Sequence, residues 1–284
     1  MSADSDSADH TGQHHTGQDL GEHDVTWHDV TWHDELAARI YVPPAAKRTG
    51  GAVIDVHGGA WTSQDRTLGA KYGLALAAAG VCVVAIDFRD GRVARHPAAS
   101  DDVIAAVEWV RAHGPRMGID AARVGLIGSS SGGHLALYAA LTGVDVPFVG
   151  AFWPPVDPLA RARYAATMVG KPVPAGQRFD AANLVRSAET YFGTEAVMAD
   201  ASITAVLCRE RTGALPAVWL VRAGEDLNVP AVLLDELAAA YREAGGSVEL
   251  TDYPGQKHGF GHGTGPVARQ FQRDLVARVL AALG

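Results

Sequence analysis

The chain has 284 residues and a formal net charge of −8 at pH 7, from 24 Lys and Arg against 32 Asp and Glu. That length suits one α/β domain with an insertion, and a hydrophobic content of 48% is ample for a buried sheet. No basic stripe is visible and no apolar stretch approaches a membrane span, which excludes nucleic acid as a partner and a membrane-crossing segment. The two cysteines, Cys82 and Cys208, make no disulfide framework and fit a reducing compartment. The acidic, polar start does not read as a secretory signal, so a cytoplasmic location is expected. Assembly into a homo-oligomer stays open.

Residues 1–22 are rich in Ser, Asp, His, Gly, Thr and Gln and nearly lack apolar side chains. They are expected to form a disordered tail, because they bury too little surface to offset the entropy of ordering. His10, His14 and His15 in that tail read as solvated side chains, and no metal or cofactor is expected. The domain then runs over 23–284. It opens on a duplication, His23-Asp-Val-Thr-Trp27 followed by His28-Asp-Val-Thr-Trp32. The alternation predicts an edge strand paired with Ala37–Val42, for which one copy suffices.

Strands then alternate with helices. Ala52–Val56 and Val81–Ile86 are apolar, strand-forming runs, with an amphipathic helix from Asp65 to Ala79 between them. Ser100 is expected to cap a helix reaching Ala112, with Asp101 and Asp102 near its positive end. Asp87 and Arg89 are assigned to one structural charge pair. Further strands are read at Val124 onward, Ala217–Ala223 and Val248–Tyr253. Helices are read from Pro230 to near Gly245 and from about Val267 to Leu283. Such alternation means a largely parallel sheet with helices on both faces. The stretch from Pro154 to Pro216 carries no strand pattern and only two short helical ones, 181–185 and 188–192. A segment of that length between two strands reads as an inserted helical lid.

Chemistry concentrates in Val124-Gly-Leu-Ile-Gly128-Ser-Ser130-Ser-Gly132-Gly133-His134. An apolar strand runs into G-x-S-x-G and on into a helix closed by Gly143, the context of a nucleophile elbow. Gly128 and Gly132 flank the turn because a Cβ at either place would collide with the neighbouring strand or helix. Upstream, His57-Gly58-Gly59-Ala60-Trp61 follows a strand. Downstream, Gly224-Glu225-Asp226 and then Lys257-His258-Gly-Phe260 follow two more. The chain order is serine, acid, histidine, each on a loop after a strand.

These segments together resemble an α/β-hydrolase of the carboxylesterase type, near the hormone-sensitive-lipase-like esterases and kynurenine-formamidase relatives. The resemblance covers about residues 35–284. It implies an α/β-hydrolase fold, a mostly parallel central sheet with helices on both faces and a lid over about 154–216. Two positions depart from the pattern: Ala60 stands where a third glycine is usual, and Ala223 precedes a displaced Gly224.

Ser130 is a weak nucleophile until a base takes its proton, and His258 is the candidate base. His262 is its closest rival, while His57 and His134 read as shaping and packing residues. The acid that holds the histidine tautomer is Asp226, by its Asp-x-x-Val-Pro spacing in the resembling families, with Glu225 beside it as the alternative. By the same resemblance the oxyanion donors are the amides of Gly58, Gly59 and Ser131. Trp61, Trp153 and Phe192 are expected to wall the substrate pocket. The expectation is a serine hydrolase that cleaves short acyl or aryl esters, a small-molecule substrate class, without a cofactor. An amide or formamide hydrolase and a non-catalytic ligand-binding protein on the same fold are the alternatives.

Overall fold

The computed structural model describes residues 24–175, 177, 179–209 and 213–284. The tail expected over 1–22, and Arg178 of the lid, lie outside the described residues. Among the described residues eight strands form one sheet in the order β1-β2-β4-β3-β5-β6-β7-β8. They are β1 Thr26–His33, β2 Leu36–Val42, β3 Ala52–Val56, β4 Cys82–Ile86, β5 Val124–Ser129, β6 Phe148–Phe152, β7 Ala217–Ala223 and β8 Val248–Tyr253. β1 and β2 are antiparallel to their neighbours, and every pair from β4 to β8 is parallel. Strands β3 to β6 are buried at every residue. Their near-continuous apolar runs are what a parallel sheet covered on both faces demands.

Helices α2 (Ala98–His113), α3 (Ser131–Thr142) and α8 (Ala231–Glu243) cover one face. Helices α1 (Ala70–Ala78) and α9 (Pro266–Leu283) cover the other. Between β6 and β7 four helices are inserted: α4 Pro158–Met168, α5 Ala181–Phe192, α6 Glu195–Asp200 and α7 Ile203–Leu207. The two short helical patterns of the lid are thus one continuous α5, and α4, α6 and α7 carried no clear periodic signal.

The duplication has a structural use. β1 takes in the end of the first copy and all of the second. Its period is two residues and the repeat is five, an odd number, so the copies present opposite faces. Val25 and Trp27 pack with the α1/α9 core, and Val30 and Trp32 with the other. Both copies are therefore used, one on each face.

Three local expectations are corrected. Helix α1 starts at Ala70 and not at Asp65, because the Asp65 carboxylate accepts the Thr67 amide at 2.8 Å and the Thr67 hydroxyl at 2.6 Å, which closes a turn instead. Helix α2 begins at Ala98, so Ser100 lies inside its first turn, buried and not capping. Asp87 and Arg89 do not pair with each other. Arg66 takes Asp87 at 2.7 Å, and Arg89 takes the fully buried Asp102 at 2.5 Å, which ties the loop after β4 to α2.

Candidate active site

The loops that leave the carboxyl ends of β3, β5, β7 and β8 converge at one place, where an open α/β sheet has its crevice. Ser130 occupies the tip between β5 and α3 with φ 51° and ψ −124°. This is a strained conformation for a side chain with a Cβ, and it costs about 1–3 kcal/mol that the surrounding packing must supply. A Cβ on Gly128 would lie 2.4 Å from the Gly132 carbonyl oxygen, and one on Gly132 only 1.9 Å from that of Val56. The helix and the neighbouring strand thus press on the turn from both sides and leave Ser130 projecting. Ser129 and Ser131 are buried.

His258 Nε2 lies 2.9 Å from Ser130 Oγ, and His258 Nδ1 lies 2.7 Å from Asp226 Oδ2. The other Asp226 oxygen accepts the amides of Asn228 at 2.7 Å and Val229 at 3.1 Å. Those two bonds close the turn before α8 and aim the second oxygen at the imidazole. With Asp226 accepting, Nδ1 carries the ring proton and Nε2 is free to take that of Ser130. Glu225 is exposed; its own amide donates to the Gln256 carbonyl at 2.7 Å. The displaced Gly224 has a cause: its amide bonds Tyr253 O at 2.9 Å, and a Cβ there would come 3.0 Å from Pro254 Cα.

The loop after β3 runs directly against Ser130, since a Cβ on Gly58 would sit 3.2 Å from Ser130 Cβ. Gly59, Ala60 and Trp61 all have positive φ, of 124°, 53° and 63°. A Cβ on Gly59 would fall 1.9 Å from Ser63 O, so glycine is required there on two counts. His57 Nδ1 donates to Gly58 O at 2.7 Å, and burial holds its pKa below the ordinary histidine value. It therefore braces the loop as a neutral ring. Ser131 opens α3, where helix geometry leaves the first amides without an intrahelical acceptor.

The three aromatic positions are buried: Trp61 and Trp153 are each 1% exposed and Phe192 is 2% exposed. Trp61 packs edge-on to Phe192 at 5.0 Å and stacks with Tyr191 at 6.1 Å. Trp153 stands behind the His258 ring, 6.4 Å from it and 5.0 Å from Phe260. They back the crevice as core. Tyr164 and Met168 of α4 keep partial exposure.

His134 is buried between the indole N–H of Trp61, which donates to Nδ1 at 3.4 Å, and the Ala201 carbonyl, which accepts from Nε2 at 2.8 Å. That pairing requires the neutral ring, and burial pushes its pKa down to about 3. His262 is partly buried, its ring 5.7 Å from that of Tyr72, and is pushed down to about 4 by desolvation and by the neighbouring His258. Its ring is not within hydrogen-bond reach of Ser130 in the way that of His258 is.

One polar group escaped sequence reasoning and another was misplaced by it. Asp55 on β3 is buried, takes the Tyr72 hydroxyl at 3.1 Å, and is raised by burial to about 7. A lone carboxylate in an apolar strand was the available signal. Arg161 on α4 reads in the sequence as a lid arginine that meets a charged substrate or only water; it does neither at the surface, because it is buried under the acid loop. The helical insertion between β6 and β7 touches both sides of the crevice. Ser187 of α5 meets Thr62 at 3.0 Å, and Gln177 reaches the Glu225 carbonyl at 3.1 Å.

A family model described as BD-FAE matches residues 39–152, which takes in the loop after β3 and the elbow. The ethyl acetate hydrolase of Pseudomonas putida is 29% identical over 234 residues, 79% of this chain and 71% of that protein. A carboxylesterase of Mycobacterium tuberculosis, NlhH, is 30% identical over 113 residues, 39% of this chain, and the match spans about a third (35%) of its length. Among solved structures, bacterial heroin esterase superposes with a TM-score of 0.78 at 22% identity, over 94% of this chain and 87% of that one. With the parallel sheet, the elbow and the loop order described above, these likenesses show an α/β-hydrolase fold, and the chain is similar to carboxylesterase-type proteins that share it.

Proposed function

We propose that this protein hydrolyses carboxylic esters through an acyl-enzyme on Ser130. The observation that carries the reading is the hydrogen-bonded series Ser130–His258–Asp226, at 2.9 and 2.7 Å, on three loops at the open end of the sheet. Ser130 Oγ attacks the ester carbonyl while His258 Nε2 takes its proton. The carbonyl oxygen becomes an oxyanion facing the amides of Gly58, Gly59 and Ser131, whose dipoles are already oriented. As the intermediate collapses, His258 returns the proton to the leaving alcohol and the acyl group stays on Ser130. Water, deprotonated by His258, then attacks the acyl-enzyme and releases the acid. Asp226 keeps the imidazole in the required tautomer and stabilises the cation formed at each step.

Short acyl or aryl esters are the proposed substrates. Trp61, Trp153 and Phe192 are buried in the core and offer no surface of their own to a long acyl chain, which favours small acyl groups. The resemblance to an ethyl acetate hydrolase agrees with that size. A cytoplasmic location is proposed on the free thiols of Cys82 and Cys208, and no helix among the described residues is long and apolar enough to cross a membrane.

The test is covalent labelling with an organophosphonate, together with turnover of p-nitrophenyl esters of graded chain length and of N-formylkynurenine. Ser130→Ala should abolish labelling and lower kcat by at least about 10³-fold while the fold is retained. Normal labelling of that variant removes the assignment. N-formylkynurenine turned over faster than every ester would replace esters by formamides.

A further inference from the structure

The side chain of Arg161 is 1% exposed and extends from lid helix α4 beneath the loop that carries Asp226. Its Nε donates to the Asn228 carbonyl at 3.2 Å. The Asn228 amide donates to Asp226 Oδ1 at 2.7 Å, and Asp226 Oδ2 accepts from His258 at 2.7 Å. His258 in turn meets Ser130 at 2.9 Å. One unbroken series of hydrogen bonds thus joins the lid to the nucleophile. The guanidinium also lies over the Trp61 ring, 5.6 Å from its centroid, beside the loop after β3.

This cation is poorly satisfied. Nη1 is buried with no hydrogen-bond partner among the described residues. Burial pulls its pKa down to about 10, and the charge that opposes this is Asp226. It stays ionised at neutral pH. A buried arginine held this way stabilises the fold weakly, and an apolar side chain of similar volume commonly does as well or better. Its placement matches a different use.

We propose that Arg161 is a positioning residue for the hydrolytic reaction, which fixes the acid loop through Asn228 and sets the charge balance around the Asp226–His258 pair. This rests on the serine-hydrolase reading above. A positive charge beside Asp226 repels any further positive charge at the site, so its loss is expected to move the acid limb of the reaction upward. Other titratable groups near this cluster include Tyr164 of α4, which lies in the field of Asp226, His262, which lies in that of His258 and, more weakly, of Lys71, and Glu225 and Lys257, which adjoin Asp226 and His258 in the chain.

The test compares Arg161→Met, Arg161→Gln and Arg161→Lys with the wild type. It follows kcat/KM for p-nitrophenyl acetate and the rate of phosphonate labelling from pH 5 to 9, with melting temperature alongside. In the two neutral variants the acid limb of both profiles should move up by about one pH unit. Their kcat should fall by about 10- to 100-fold with KM nearly unchanged. Arg161→Lys should keep the wild-type acid limb. An acid limb of Arg161→Gln that coincides with the wild type overturns the proposal, as does an equal displacement in Arg161→Lys. Failure of both neutral variants to fold beside a fully active lysine variant also overturns it, since the side chain then serves the fold. A wild-type protein that takes no phosphonate and cleaves no ester fails the underlying reading instead.

Discussion

Asp226→Asn is the substitution whose outcome the geometry determines most closely. The Asp226 oxygens have separate tasks: Oδ1 accepts the amides of Asn228 and Val229 at 2.7 and 3.1 Å, and Oδ2 accepts from His258 at 2.7 Å. In asparagine the carbonyl oxygen keeps the two backbone donors, because an NH₂ group there would face two N–H groups. The NH₂ must then point at His258 Nδ1. Two donors cannot meet, so the imidazole takes the tautomer with its proton on Nε2, opposite Ser130. The base is lost while the loop is kept. The expected loss is about 10⁴-fold in kcat/KM, or about 5 kcal/mol of transition-state stabilisation. The melting temperature should change little, since both turn-closing bonds remain. Glu225→Gln is the matched control: its exposed side chain takes no part in this arrangement, and activity should stay within about a factor of two. The assay is kcat/KM on p-nitrophenyl acetate near pH 8 for both variants, with circular dichroism to check the fold. A larger loss in Glu225→Gln than in Asp226→Asn would refute the reasoning.

Asp55, raised by burial to about 7, should make stability fall as pH rises from about 4 to 7, because the folded chain retains a proton that the unfolded chain has released. Asp55→Asn should therefore stabilise at pH 8, by at most about 4 kcal/mol, and change little at pH 4. Urea midpoints at the two pH values decide this, and a uniform loss at both would count against it. His134, pushed down to about 3, acts in the opposite sense: its contribution is present above the unfolded value near 6.5 and is lost as pH falls towards 3. His134→Gln should flatten the acid side of the stability profile measured by the same midpoints. Phe192→Ala should cost about 3–5 kcal/mol, because it empties a site packed against Trp61, His96 and Tyr191. Tyr164→Ala should leave stability within about 1 kcal/mol and alter the ranking of acyl-chain lengths, since that ring keeps open surface on α4. A Tyr164→Ala variant with unchanged ranking would place the specificity surface elsewhere.

What the sequence determined by itself was local. Apolar runs bounded by Gly and Pro located β3, β4, β7 and β8 within a residue, because a buried parallel strand leaves no alternative composition. The G-x-S-x-G turn and the order of serine, acid and histidine were readable because each depends on a few adjacent residues. Other features waited on tertiary contacts. Asp226 and Glu225 are neighbours with the same chemistry, and only the turn made by Asn228 and Val229 aims one of them at His258. Arg66 reaches Asp87 across 21 residues and Arg89 reaches Asp102 across 13, partners that no periodicity announces. Trp61, Trp153 and Phe192 lie in the core and not on its surface because α3, α5 and α9 close over them. Arg161 reads in the sequence as a lid arginine that meets a charged substrate or only water. Its burial against Asn228 and Trp61 depends on how α4 crosses two loops that lie about 70 and 100 residues away along the chain, a docking decided by packing and not by local preference.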